Sequence, residues 1–293
     1  MDRFSISELS RFSGVKPFVI RTWEKRYQAL NPGRSAGNTR HYDGAQLRRL
    51  LNITSLAGGP YKISELCGME DRELADLINK GEVSSPEPRE EFFVSQLIAT
   101  GLSYDENQFN NLFAHCLQRF GLFGAWVRVL YPAVQRLGLL WSCDRIGAGN
   151  EHFFTNLLNR KIYSATDLLA PAETGRATWS LFLPENEFHE TGLLIANYMV
   201  RNAGHRTIYL GANTPLNDLL FASEQNKSEY LLLFLVHKDS ASETESYLAE
   251  LERRFKGKKI YVAMERSKDK LRFGKKVHCL HSPGELTEML KQD

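Results

Sequence analysis

Residues 16–42 of the chain are KPFVIRTWEKRYQALNPGRSAGNTRHY. Ile20, Trp23 and Tyr27 recur at spacings of three and four residues, which is typical of the buried face of an amphipathic helix. This spacing predicts a helix over residues 16–30, with its basic side chains on the faces that packing leaves open. The segment NPGRSAGNTRHY, which follows, is basic and rich enough in glycine to form a tight hairpin.

The residues before this stretch complete a helix-turn-helix. Ser5 followed three residues later by Glu8 is a capping-box pattern that opens a first helix, and Ser13-Gly14-Val15 forms the tight turn between the two helices. In such a motif the second helix lies in the major groove of DNA, and a basic hairpin beside it contacts the phosphate backbone as a wing. The side chains predicted to contact DNA are Lys16, Arg21, Lys25, Arg26, Arg34, Arg40, His41 and Tyr42.

Charge is segregated along the chain in a way that favours a DNA-binding amino-terminal module. Residues 1–58 carry ten Lys or Arg and four Asp or Glu, although the net charge of the whole chain is only +2. A basic module on an acidic body is typical of proteins that bind a polyanion. Residues 253–276 form a second basic run, with eleven Lys or Arg against two Asp or Glu, which is interpreted as a solvated surface around a strand.

The composition excludes several other classes of protein. Of the 293 residues, 42% are hydrophobic, but no run approaches the roughly 18 consecutive apolar residues that a membrane-spanning helix needs. The start of the chain has no apolar signal segment, so a cytoplasmic protein is expected. The four cysteines are widely separated and form no Cys or His cluster, which argues against a disulfide framework or a zinc site.

The rest of the chain divides where composition and periodicity change. The segment KGEVSSPEP, which begins at residue 80, has the Gly, Ser and Pro content of a linker. Four stripes of apolar residues at helical spacing follow it and predict a small helical bundle. The predicted domains are a winged helix-turn-helix over 1–80, a linker over 81–91, a helical-bundle cap over 92–172 and a Rossmann-like domain over 173–293.

From about residue 176 the pattern changes to that of an α/β domain. Short runs that are apolar throughout predict strands buried on both faces of a parallel sheet, with helical patterns between them. These runs cover residues 179–183, 207–210, 230–236, 259–263 and 277–280. The predicted fold class is therefore multi-domain α and α/β, with an N-terminal winged helix-turn-helix, a helical-bundle cap and a C-terminal Rossmann-like parallel sheet.

One loop of the predicted sheet domain has the composition of a ligand site. Glu187-x-His189-x-x-Gly192 follows the first strand and opens a helix. The histidine is therefore expected at the carboxyl edge of the sheet, where α/β domains bind ligands. Glu187 would orient the imidazole and raise its basicity, and Gly192 would let a bulky ligand approach the backbone.

The predicted bundle offers further side chains for the same ligand. Trp141 lies near the end of the third helical stripe and would form a flat apolar lid. Glu151 and His152 open the fourth helix, where the histidine would supply a second polar group. Arg136 and Arg145 are interpreted as surface residues only.

Four ordered motifs give the amino-terminal module a resemblance to a known family. IxELxxxxGV, RTWEKRY, RxxGNxRxY and YKISEL occur in this order within residues 4–75, and together they resemble the DNA-binding head of the MerR family. The resemblance implies a regulator, not an enzyme, that binds an inverted-repeat DNA operator as a homodimer or higher homo-oligomer. The RTWEKRY form resembles the branch whose sensor domains bind cobalamin.

The remainder of the chain resembles a cobalamin-binding unit, which consists of a helical cap and a Rossmann-like domain. ExHxxG resembles the D/ExHxxG motif of that family, in which the histidine is the lower cobalt ligand, and this implies the same role for His189. Trp141 followed by Glu151-His152 resembles the cap motif of the CarH/LitR light-sensing branch of MerR regulators, which implies that His152 can take the upper cobalt position. The implied cofactor is cobalamin in its adenosyl form, and the implied response is to this cofactor and to light. The residues assigned to cofactor binding are Trp141, Glu151, His152, Glu187, His189 and Gly192.

Two segments depart from the cobalamin-binding pattern. That family usually has Ser-x-Leu after the third strand and Gly-Gly after the fourth, and these residues line the slot for the nucleotide tail. Here Val236-His237-Lys238 follows the third strand, and Met264-Glu265 stands in place of the two glycines. The side chains of Met264 and Glu265 would occupy space that the tail needs. Either the tail binds differently, or the domain has lost the cofactor and works as a dimerisation or protein-docking module.

Two other functions therefore stay open. The first is a MerR-type regulator with a degenerate sensor that acts without cobalamin or answers to a protein partner. The second is a cobalamin-dependent methyltransferase or mutase component. Such enzymes need a substrate-holding domain, often a barrel, and the chain has no room for one.

Overall fold

The computed structural model describes residues 4–35, 37–79, 90–142, 146–235, 241–264, 271–272 and 274–291. The chain divides into two compact units, Met1–Leu157 and Leu158–Asp293, and each unit is described by itself. The predicted linker lies outside the described residues except for its last two positions, which already belong to a helix. The first unit contains both the amino-terminal module and most of the helical bundle, so the predicted boundaries at 80 and 172 stay predictions.

The head (residues 4–79) begins with the predicted helix-turn-helix. The Ser5 hydroxyl accepts a hydrogen bond from the Glu8 N–H at 3.3 Å, and the Glu8 carboxylate accepts one from the Ser5 N–H at 2.6 Å, which completes the predicted capping box. Gly14 ends the first helix with a φ of 73°, a left-handed conformation that glycine adopts without strain. The elements of the head are α1 (Ile6–Ser13), α2 (Pro17–Tyr27), β1 (Gly33–Arg34), β2 (Arg40–His41), α3 (Gly44–Leu56), α4 (Ile63–Gly68) and α5 (Asp71–Asn79).

The bundle follows the predicted apolar stripes, with one interruption. Gly121 has a φ of 64°, so the chain kinks there, and the turn Trp126–Leu130 is π-helical. In the core, Phe109 and Phe154 pack edge to face with ring centroids 5.3 Å apart. The helices are α6 (Glu90–Ser103), α7 (Glu106–Ala125), α8 (Tyr131–Ser142) and α9 (Ala148–Asp167), and the division between the two units falls within α9. No described helix is both long and apolar enough to cross a membrane.

The second unit is built on a parallel five-stranded sheet, which confirms the predicted fold class. Its strand order is β4-β3-β5-β6-β7, and every neighbouring pair is parallel. The strands are β3 (Thr178–Phe182), β4 (Arg206–Gly211), β5 (Tyr230–Leu235), β6 (Lys259–Met264) and β7 (Val277–Leu280). The helices are α10 (Thr191–Asn202), α11 (Leu216–Gln225), α12 (Ala241–Arg254) and α13 (Pro283–Leu290).

The strand order places the predicted ligand loop at a favourable point of the sheet. On one face, Leu231, Leu233 and Val262 pack with Leu248 of α12 in a buried apolar cluster. The first strand of the sheet, β3, lies between β4 and β5. The connection that leaves β3 runs to β4 on one side, and the connection that leaves β5 runs to β6 on the other side. In open α/β sheets ligands bind at the carboxyl ends of the strands beside such a reversal. The loop that carries His189 leaves β3 at this end.

Candidate functional site

Helix α2 presents a basic surface to solvent. Ile20 is buried, and Trp23 and Tyr27 are half-buried, so the predicted packing face is the one that the head uses. The predicted contact residues Lys16, Arg21, Lys25 and Arg26 are all exposed. The helix is shorter than the sequence predicts, since Gln28 turns into a left-handed conformation with a φ of 52°.

The predicted wing is a short hairpin that pairs Gly33 with His41 and Arg34 with Arg40. The guanidinium of Arg34 donates to the Asn38 side-chain oxygen at 2.5 Å. The His41 imidazole lies so close to the Gly33 backbone that a Cβ at residue 33 would collide with the ring. Arg34 is exposed and His41 is half-buried, so both side chains contribute to the surface of the wing.

Glu24 connects α2 to the wing, and the sequence pattern gave no sign of this role. Its carboxylate is only 8% exposed, pairs with Arg40 Nε at 3.2 Å and accepts a short hydrogen bond from the Tyr42 hydroxyl. Burial, followed by this hydrogen bond, raises the pKa of Tyr42 well above its usual range. Tyr42 is fully buried, so the prediction that its side chain contacts DNA is wrong: the hydroxyl supports the wing from within.

Arg49 is a second residue of the head whose role the sequence did not predict. From α3 its guanidinium donates to the carbonyl oxygens of Ala29, Cys67 and Met69, each at 2.8 Å. It also donates to the Asp71 carboxylate at 2.6 Å. One side chain thus holds the segment after α2 and the segment between α4 and α5 in place around α3.

Arg136 joins the bundle to the head, so its interpretation as a surface residue is wrong. From α8, its two terminal nitrogens donate to the two oxygens of Glu91 at 2.6 and 3.0 Å, a bidentate pair. The same guanidinium lies 3.4 Å from the Phe12 carbonyl oxygen at the end of α1. A Cβ at Gly14 would lie 3.3 Å from the Glu91 carboxylate, so the turn of the helix-turn-helix packs against this ion pair.

The predicted cap residues lie at the ends of α8 and α9. Trp141 is 45% exposed, although an indole of this size is usually buried when it serves only the core. Asn150, in the first turn of α9, donates to the Gly101 carbonyl oxygen at 3.0 Å and fixes the start of that helix. Two residues after Asn150, His152 Nε2 lies 3.7 Å from Glu151 Oε2, and the His152 side chain is 68% exposed.

The predicted pair of Glu187 and His189 forms in the second unit. The Glu187 carboxylate is 5% exposed, and its Oε1 lies 2.6 Å from His189 Nδ1. The same oxygen accepts the backbone N–H groups of Phe188 and His189 at 2.9 and 3.0 Å. An ionised carboxylate at Nδ1 selects the imidazole tautomer that has its lone pair on Nε2. The His189 side chain is 47% exposed, so this chemistry fits the coordination of a metal from the surface of the loop.

Neighbouring residues fix the same loop to its surroundings. Thr191 donates to the Asn159 side-chain oxygen at 2.8 Å, and Glu190 accepts the Tyr209 hydroxyl at 2.8 Å. Burial and this hydrogen bond raise the pKa of Tyr209 far above its usual range, so the phenol stays a donor. The chain is therefore held in place by side chains directly after His189.

Gly192 does not offer the open space that the sequence predicts. A Cβ at residue 192 would lie 2.8 Å from the ring of Phe234, which projects from β5. The bare backbone of this glycine is already covered by a side chain of the protein itself. The imidazole of His189 would hold a corrinoid through Nε2, whereas the ring of Phe234 fills the space beside Gly192.

The other departures from the cobalamin pattern lie at the ends of β5 and β6. Met264 is 7% exposed at the end of β6, and its carbonyl oxygen lies 3.2 Å from His281 Nδ1. The Met264 side chain is thus buried at the position where the cobalamin-binding family usually has a glycine. Val236, His237, Lys238 and Glu265 lie outside the described residues.

Comparison with known proteins identifies the head. Residues 4–72 match the model of the MerR HTH family regulatory protein, which covers α1 to the start of α5. The predicted resemblance of the head is confirmed, and these residues form a MerR-type helix-turn-helix domain. The four ordered motifs and the exposed basic face of α2 belong to this domain.

Relatives of known name cover most of the chain. The HTH-type transcriptional repressor CarH of Myxococcus xanthus is 27% identical over 255 residues, which span 85% of this chain and 84% of CarH. The repressor CarA of the same organism is 25% identical over 254 residues, with coverage of 84% and 81%. The monomethylamine corrinoid protein of Methanosarcina barkeri is similar in structure, with a TM-score of 0.50, 12% identity, and coverage of 67% of this chain and 96% of that protein. This last likeness confirms the fold class.

Proposed function

We propose that this chain is a MerR-type transcriptional regulator, not an enzyme, whose head binds double-stranded DNA and whose second unit holds a corrinoid through His189. The observation that carries the DNA-binding part is the exposed basic face of α2 beside a wing that Glu24 fixes from within. The similarity to two transcriptional repressors over most of their lengths supports regulation rather than catalysis.

In the proposed complex, α2 lies in the major groove and the wing lies along the phosphate backbone. MerR-type heads bind inverted repeats, so the proposed assembly on DNA is a homodimer or a higher homo-oligomer. The proposed place of action is the cytoplasm. The residues proposed to contact DNA are Lys16, Arg21, Lys25, Arg26, Arg34, Arg40 and His41.

DNA binding is tested with an operator selected from a random-sequence duplex library. Arg21→Ala is expected to weaken the binding of that operator about tenfold, since a lost base or phosphate contact of arginine costs on this order. Arg40→Ala in the wing is expected to reduce the dependence of binding on salt concentration, because fewer counterions are released. Arg119→Ala, an exposed arginine of α7, serves as the control. Unchanged affinity in both head variants at moderate salt would contradict the proposed docking.

The proposed corrinoid site depends on the orientation of the His189 ring. Glu187 holds Nδ1, so Nε2 is the nitrogen proposed to coordinate the cobalt, and the negative charge of the carboxylate strengthens this nitrogen as a donor. Trp141, Glu151 and His152 are proposed to bind the same cofactor, with His152 as a second cobalt ligand. A bound adenosylcobalamin would supply a light-sensitive cobalt–carbon bond, and we propose that loss of the adenosyl group disturbs the oligomer.

A second function is favoured by the packing around Gly192. The Phe234 ring covers the backbone of this residue, and Met264 is buried at the end of β6. Side chains that fill the space beside a ligand loop are expected in a sensor that works without its cofactor. The alternative is therefore a MerR-type regulator whose second unit is a degenerate sensor and docks a protein partner.

The absorption spectrum of the purified protein distinguishes these two functions. The protein is mixed with adenosylcobalamin in the dark, freed of unbound cofactor, and measured before and after illumination. The corrinoid proposal predicts retained cofactor with a light-dependent spectrum in the wild type and in His115→Ala, an exposed histidine of α7, and loss of the cofactor in His189→Ala. No retained corrinoid in the wild type would contradict this proposal and favour the degenerate sensor.

A further inference from the structure

Phe18 is a large apolar side chain that the fold leaves in water. It lies in the first turn of α2 and is 63% exposed, whereas Ile20, two residues further on, is buried in the head. Exposure forfeits most of the free energy that burial of a phenyl ring supplies. A scattered apolar residue needs no explanation by itself, so its surroundings decide whether this one has a role.

The surroundings of Phe18 are those of a nucleic-acid interface. Residues three, four and seven positions further along a helix share one face, and for Phe18 these are Arg21, Thr22 and Lys25. Arg21 and Lys25 are exposed cations, and the Thr22 hydroxyl is turned back to donate to the Phe18 carbonyl oxygen at 2.8 Å. Phe18 is thus an apolar group at the amino-terminal end of a basic helix face.

This position is the one from which a recognition helix reads bases. In helix-turn-helix proteins the amino-terminal residues of the second helix contact base edges in the major groove. A phenyl ring cannot donate or accept a conventional hydrogen bond, so it can recognise only an apolar feature there. The C5 methyl group of thymine is the apolar feature that the major groove offers, and phenylalanine is a suitable partner for it.

We infer that Phe18 packs against the methyl group of a thymine and thereby determines the sequence preference at one base pair of each half-site. This inference rests on the proposed DNA binding of the head. It assigns the flanking cations, Arg21 and Lys25, to phosphates or polar base edges, and it assigns the apolar part of the recognition to Phe18 alone.

The test replaces single thymines by deoxyuridine, which lacks only the methyl group. Each thymine of the library-selected operator is replaced in turn, and binding is measured by fluorescence anisotropy for the wild type and for Phe18→Ala. At one position of each half-site, we expect deoxyuridine to weaken the wild type about fourfold, as the transfer of one methyl-sized group from water implies. Phe18→Ala should bind the thymine and deoxyuridine operators equally well. Phe221→Ala, which removes a phenyl ring that is 67% exposed on α11, should behave as the wild type.

Three outcomes would overturn the inference. The first is an equal effect of deoxyuridine on the wild type and on Phe18→Ala at every position. The second is a selected operator without a preferred thymine in the half-site. The third is a loss of affinity in Phe18→Ala that is the same on random-sequence DNA, because that would assign the ring to backbone packing. If the wild type bound no duplex at all, the proposed DNA binding itself would be contradicted. The three outcomes above contradict only the role of Phe18, because in each of them the wild type still binds DNA.

Discussion

At the scale of single residues, the DNA-binding surface depends on a buried carboxylate. Glu24 lies on the same helix as the exposed cations, yet it points inward and binds Arg40 and Tyr42 of the wing. Hydrogen bonds to a charged group contribute more to stability than neutral ones. The position of the wing beside α2 therefore depends on three side chains of which only Arg40 also faces solvent.

Tyr42→Phe tests this support through its dependence on pH. At pH 7 the variant loses the donor to a buried carboxylate, so its free energy of unfolding should fall by about 1–2 kcal/mol. The raised pKa of Tyr42 means that the native state keeps the phenol protonated while the unfolded chain ionises it above about pH 10. The stability that Tyr42 contributes is therefore present below pH 10 and lost as pH rises further.

Chemical denaturation at pH 7 and at pH 11 measures both effects. The destabilisation by Tyr42→Phe should be smaller at pH 11, whereas the control Tyr61→Phe, at a half-buried tyrosine of the head, should show no such change. A destabilisation of the same size at both pH values would contradict the role of the Tyr42 hydroxyl.

Gly192→Ala tests the close packing beside the ligand loop. The new methyl group would meet the Phe234 ring, so the free energy of unfolding should fall by about 1–3 kcal/mol, as expected for overpacking. Phe234→Leu should restore much of this loss in the double variant. Gly138→Ala in α8, where a Cβ would meet nothing within 4 Å, is the control and should be neutral or stabilising. Thermal unfolding measures these three variants and Phe234→Leu alone.

At the scale of elements, one ion pair joins the helix-turn-helix to the bundle. Arg136 of α8 binds Glu91 of α6 in a bidentate arrangement and reaches the last turn of α1. The side chain of Arg136 is 20% exposed and that of Glu91 is 37% exposed. Because α1 and α2 are joined by a tight turn at Gly14, the bundle supports the helix pair that carries the recognition surface.

A double-mutant cycle on Arg136→Ala and Glu91→Ala measures this connection. We expect a coupling energy of about 1 kcal/mol, since the geometry is bidentate but the pair is partly open to solvent. The neighbouring pair of Arg128 and Glu90 is a matched control: it is 57% and 50% exposed at 3.4 Å, so its coupling should be close to zero. Equal coupling energies in the two pairs would contradict the proposed role of Arg136.

Local patterns were sufficient to predict most elements. The capping box at Ser5 and Glu8 predicted the start of α1, and the runs of apolar residues predicted all five strands of the parallel sheet. Helices α5, α11 and α13 were not predicted, although each has apolar residues at helical spacing, because helices of only 9, 10 and 8 residues give too short a periodic pattern. The end of α2 was predicted too late, since the left-handed turn at Gln28 has no glycine to mark it.

The candidate site could be predicted only where its residues are close in sequence. Glu187 and His189 are two residues apart, so a motif was enough to pair them. Arg136 and Glu91 are 45 residues apart, and the burial of Tyr42 against Glu24 depends on how the wing packs on α2. Phe234 of β5 likewise packs against Gly192 of α10, and no local sequence pattern relates these two residues.

At the scale of the whole molecule, the proposed function joins two parts of the chain with different chemistry. The first unit contains the basic head, and the second contains the loop with Glu187 and His189. Such a regulator responds to a signal only if the state of the second unit changes the affinity of the first unit for DNA. The proposed function therefore predicts thermodynamic coupling between corrinoid binding and DNA binding.

The most direct test of this central claim is the DNA affinity of the full chain with and without adenosylcobalamin in the dark, measured by anisotropy on the selected operator. We expect the cofactor to change the affinity of the wild type at least about fivefold, the lower end of typical allosteric coupling, and illumination to reverse the change. His189→Ala should bind DNA with one affinity under all conditions. An operator affinity of the wild type that is the same with cofactor, without cofactor and after light would contradict the proposed coupling.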